Sequence, residues 1–178
     1  MIIRSLVTAA ALVAASSAQA QTQPPACIQP REAEALFLAL APAMIGSVAA
    51  TCATVLPPGA LLRRSVGPLT AKYAAESDAA WPAAKEGLRK LVGPDAAQMV
   101  DSELAKPMVT AMIAPMLAKE VKAKDCPHID RVLTLIDPLP AKNTAALVVA
   151  ILDMTGKAKG GGKDGNPFVL CPAAVSRR

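Results

Sequence analysis

An all-α fold, a single irregular bundle of six to seven short helices carrying two disulfides, is what this 178-residue sequence predicts. Three observations lead there. Apolar residues recur at helical spacing along most of the chain. Proline stands repeatedly where such a run begins. Strand signals are scarce, with no sustained alternation of apolar and polar residues and no Asn-Gly turn.

The elements follow in order. Pro30 opens the first helix, with Glu32 and Glu34 in the first turn, where acids favour the helix dipole. Leu36, Phe37, Leu40, Met44, Ile45 and Val48 form its stripe, Pro42 should kink it, and Pro57-Pro58-Gly59 should end it. A connector holds Leu61, Leu62, Arg63 and Arg64. Pro68 begins a second helix with Leu69, Tyr73 and Trp81, which Pro82 kinks or divides and Gly93-Pro94 stops. Pro94-Asp95 starts a helix that ends before Pro107, and Pro107 starts the next, with Met108, Met112, Ile113, Met116 and Leu117. Pro127 opens a shorter one with Ile129, Val132, Leu133 and Ile136. After Pro140 the last helix carries Leu147, Val148, Ile151 and Leu152 up to Gly156. Proline is tolerated at these starts because a first-turn N–H has no partner within the helix.

The leader is separate from this bundle. Arg4 precedes an apolar run from Leu6 to Ala15, and Ala18 and Ala20 are the small residues a signal peptidase requires. Residues 1–20 read as a signal peptide, leaving residues 21–178 as one helical domain in the periplasm or outside the cell. The run of about ten apolar residues falls short of the roughly 20 that span a bilayer, and no later stretch of 18 apolar residues is read in the chain, so no transmembrane segment is expected after cleavage. Pro24 stands where a lipoprotein signal needs an aliphatic residue before Cys27, which excludes lipidation.

Composition narrows the classes further. The apolar share of 53% is rich in alanine, while aromatics are 2%, so closely packed helices with a core of Leu, Val, Ile and Met are expected. The net charge is +5, falling by one when Arg4 leaves with the leader. The cations are scattered apart from Lys157, Lys159 and Lys163, and stacking aromatics are few, so no nucleic acid is expected as a partner. The Gly- and Lys-rich stretch near 156–166 reads as a flexible segment.

Four cysteines, Cys27, Cys52, Cys126 and Cys171, read as two disulfides in an oxidising compartment. If residues 30–53 form one helix, its ends lie roughly 35 Å apart at 1.5 Å per residue, whereas a disulfide holds its Cα atoms about 4.4–6.8 Å apart. That disfavours Cys27–Cys52 and favours the two pairings that join Cys27 to the later half, of which Cys27–Cys171 with Cys52–Cys126 is the expected one.

No reactive constellation stands out. Cys126, His128, Asp125 and Asp130 have the residue types of a metal site, but zinc needs three or four ligands and Cys126 serves as a disulfide partner. His128 is the only histidine, and no Gly-x-Ser-x-Gly elbow accompanies it. Lys159-Gly160-Gly161-Gly162-Lys163 lacks the Ser or Thr and the flanking elements of a phosphate loop. The acid pairs Glu32 with Glu34, Glu76 with Asp78 and Asp101 with Glu103 lack the aromatics of a sugar cleft. Met108, Met112 and Met116 share one helix face; thioethers suit Cu(I), yet packing in the core is the expectation. Tyr73 and Trp81, eight residues apart, are the candidates for a ligand groove or partner surface, although such residues more often anchor the core. The expected function is a non-enzymatic periplasmic binding or interaction module, without catalytic, cofactor-binding or metal residues, whose partner is another envelope protein or an apolar small molecule. The alternatives are a small periplasmic hydrolase and a carrier of an apolar ligand.

Overall fold

The structure, a computed structural model, describes residues 27–158 and 169–171. Within them the chain forms seven α-helices: α1 (Pro30–Cys52), α2 (Leu61–Arg64), α3 (Val66–Val92), α4 (Ala97–Asp101), α5 (Ala105–Glu120), α6 (Cys126–Ile136) and α7 (Ala141–Ala158). Short 3₁₀ turns at Pro94–Ala96 and Ala123–Asp125 lead into α4 and α6. The signal-peptide expectation for residues 1–20 and most of the Gly/Lys-rich segment lie outside the described residues.

Two helices are long rather than short. α1 runs 23 residues through Pro42, and α3 runs 27 residues through Pro82. An internal proline costs a helix about 3 kcal/mol. Here the two helices lie antiparallel and pack against each other along their lengths, which offsets that cost. Lys90 of α3 meets Glu32 at the start of α1, the Ser77 hydroxyl donates to the Ala39 carbonyl at 3.2 Å, and Tyr73 packs edge-on against Phe37. Gly87 permits the closest approach: a Cβ there would stand 3.0 Å from Leu36 Cδ1 and 3.2 Å from Glu32 Cβ.

α1 is the central helix, packed on by α3, α5 and α7. Its mean hydropathy reaches 1.9 over an 18-residue window, so by length and composition it is apolar enough to cross a membrane, which corrects the expectation that no later stretch is. Half of that window is buried in the bundle, so its central position accounts for the apolarity. The core divides along this helix. Leu38, Ala41, Ile45, Ala49 and Cys52 join Leu61, Leu62, Leu69, Tyr73, Cys126, Ala141 and Ala145 in one cluster. Ala35, Leu36 and Ala39 join Ala84, Leu88 and Val100 in another.

Both disulfides pair as expected. Cys27–Cys171 holds its Cα atoms 4.8 Å apart and Cys52–Cys126 holds its own 5.5 Å apart. Beside the first, Ile28 and Leu170 make a parallel bridge that ties the two ends of the described chain together. Several boundaries shift from expectation. α1 stops at Cys52, five residues before Pro57, the supposed connector contains α2, the helix after Pro94 ends at Asp101, and α7 continues past Gly156 to Ala158. Pro68 and Pro107 lie in the first turns of α3 and α5 rather than at their first residues.

Candidate functional site

Several of the charged groups are occupied in holding helices together. Glu32 is buried; its carboxylate accepts Lys90 Nζ at 2.7 and 2.6 Å and the Gln29 N–H at 2.9 Å. Burial alone would raise its pKa, but the Lys90 hydrogen bond, the Gln29 N–H and the charges of Lys90 and Arg31 outweigh it and hold the carboxyl below its ordinary value. Asp78 is also lowered, by Lys106 at 2.6 Å, and Glu76 pairs with Lys142 at 3.1 Å. Arg89 binds both Glu86 and Asp101, and these bonds raise its pKa. No acid pair from the sequence converges on a shared cleft.

The Cys126–His128 neighbourhood resolves the same way. Cys126 is in a disulfide, His128 is exposed, and the Asp130 carboxylate accepts the Leu62 N–H at 2.8 Å, so an acid of α6 caps the start of α2. That link joins residues 68 apart in the sequence, and no local motif announces it. Among the described residues, no group of three or more His, Cys, Asp and Glu is gathered to hold a metal ion.

Tyr73 and Trp81 do not share a surface. Tyr73 is 1% exposed in the first cluster, with Lys72 Nζ 5.2 Å from its ring centre, while Trp81 is half-buried against the second cluster. Tyr73 does form the floor of an apolar groove between α1 and α6, lined also by Phe37, Met44, Val48, Ile129, Leu133 and Ile136, with a volume of about 120 Å³.

The notable surface lies on α5. Met108, Met112 and Met116 are 43%, 62% and 62% exposed, which corrects the expectation that they fill the core. α5 turns Ala105, Ala114 and Ala118 inward instead. These small residues allow a close seat on the bundle and leave the bulky thioethers outside. Leu104, 65% exposed, extends the ridge by one turn at the same four-residue spacing. Pro107, Ala111 and Pro115 form a second exposed row beside it. From Leu104 to Met116, roughly 18 Å of helix, this face has no charged side chain and no free hydroxyl. Lys106 turns aside to Asp78, and the Thr110 hydroxyl donates to the Lys106 and Pro107 carbonyls. Since the apolar residues of α5 are not confined to one side, periodicity marks the helix without telling which face is buried, and no local signal points to the surface.

No family model, curated protein or solved structure matches the chain.

Proposed function

We propose that this protein is an exported, non-enzymatic interaction module that works in the periplasm and docks through the outward face of α5. The observation that carries the reading is the uncharged ridge of Leu104, Met108, Met112 and Met116. A helix apolar on all sides is normally buried on all sides, and contiguous exposed apolar patches mark association sites. Methionine suits such a face because its flexible thioether adapts to the opposing surface. The leader pattern at residues 1–20 and the two closed disulfides support export to an oxidising compartment. The groove beside Tyr73, at about 120 Å³, is well below the roughly 300–1,000 Å³ of ordinary ligand pockets, which favours docking over carriage.

The test is a photo-crosslinking amino acid placed singly at Met108, Met112 and Met116 in cells that export the protein, with a control at exposed Thr54. The expected result is one discrete adduct shared by the three ridge positions and absent from the control. Failure of all three positions to form an adduct overturns the reading.

A further inference from the structure

We propose that the occupant of the α5 face is a second copy of this chain, with the two α5 helices packed antiparallel about a two-fold axis near Ala111 and Met112. This deepens the docking reading above and rests on it. Three features favour a like copy in this orientation.

The first is shape. The ridge repeats every four residues, and a ridge of that spacing packs into the matching groove of an identical helix. Ala111 and the flat rings of Pro107 and Pro115 provide the shallow row into which the thioethers of the other copy fit. The ridge and its receiving row lie side by side on one face, as a two-fold contact requires.

The second feature is charge. The ends of the uncharged face carry opposite signs. Before it stand Asp101, held by Arg89, and exposed Glu103. After it stand exposed Lys119, Lys122 and Lys124 with a single exposed acid, Glu120. No salt bridge joins Glu103 or Lys119 to another described residue. An antiparallel pair sets Glu103 of each copy near Lys119 of the other, whereas a parallel pair would oppose like charges. The third feature is the helix dipole, which also favours the antiparallel arrangement.

Sedimentation of the full chain with its leader removed reads the outcome, over about 1–100 µM. The expected result is a monomer–dimer equilibrium. Met112→Glu buries a charge at the axis and should weaken the dimer at least a hundredfold. Its exposed position leaves the fold intact, which helical circular dichroism verifies. Glu103→Lys and Lys119→Glu should each weaken the dimer about tenfold, two symmetry-related pairs being lost, and the double swap should restore most of the affinity. A monomer at 100 µM overturns the second copy, as does a dimer insensitive to Met112→Glu and to the charge swaps. The ridge crosslinks separate the two readings. An adduct of twice the chain mass supports the dimer. An adduct of any other mass from a sedimentation monomer sinks the dimer and leaves docking standing. Absence of adducts sinks both.

Discussion

Glu32 is the only buried carboxylate among the described residues, and its position at the α1–α3 contact makes that contact sensitive to acid. Its folded pKa lies below the ordinary glutamate value of 4.5. Its contribution to stability is therefore complete above 4.5 and is lost as the pH falls through the lower folded value. We expect thermal melts to weaken on acidification below about pH 4.5 and Glu32→Gln to flatten that dependence; equal slopes for the two proteins would refute the assignment. Removing the partner by Lys90→Met leaves the carboxylate buried with only the Gln29 N–H, at an expected cost of about 1–3 kcal/mol in urea titrations. Gly93 is constrained differently. It ends α3 at φ 77° and ψ 177°, and its N–H donates to the Arg89 carbonyl at 3.0 Å. That backbone region is almost reserved for glycine, so Gly93→Ala should cost about 1–3 kcal/mol; an unchanged unfolding midpoint would contradict this.

At the scale of elements, proline explains both what sequence reading finds and what it misses. Pro30, Pro94 and Pro127 lie at helix starts as local chemistry predicts, and the length of α1 keeps Cys27 from pairing with Cys52. Pro42 and Pro82 are locally the same signal, yet they sit inside continuous helices because long-range packing between α1 and α3 decides. The α5 face shows the same limit. Its methionines are legible as a stripe, but the side that seats on α1 is set by where alanines allow close contact. Pro82 is exposed, so its ring has little packing to lose. Pro82→Ala should restore a helix hydrogen bond and stabilise the protein by about 1–3 kcal/mol. Calorimetry showing a lower midpoint would mean that the bundle requires a bend at that position.

For the whole molecule, the disulfides do much of the closing. They join residues 144 and 74 apart, and loop-closure entropy places each near 4–5 kcal/mol, an upper range for such bonds. The contributions differ in kind. Cys52 and Cys126 are fully buried, and their bond anchors the start of α6, which is also held by the Asp130 cap, the apolar groove and Lys72 of α3, whose Nζ donates to the Asp137 carbonyl at the helix end at 2.7 Å. Cys27–Cys171 joins the ends of the described chain beside a single bridge. We therefore expect paired replacement of Cys52 and Cys126 by alanine to expose α6 amides to hydrogen exchange throughout the helix. Replacement of Cys27 and Cys171 should lower the global midpoint while leaving α6 protected. Equal loss of α6 protection in both variants would contradict this division.

The nesting of one disulfide inside the other has a consequence for biogenesis. A chain delivered from its N-terminal end presents Cys27 first, Cys52 second, Cys126 third and Cys171 last. The native bonds join first to last and second to third, so an oxidant pairing thiols in order of arrival would make the wrong bond at its first opportunity. Once α1 has formed, its length holds those two thiols too far apart to bond. Slowing its formation with Ala39→Gly and Ala43→Gly should make correct maturation dependent on a disulfide isomerase, visible as misbonded monomer on non-reducing gels when the isomerase is absent.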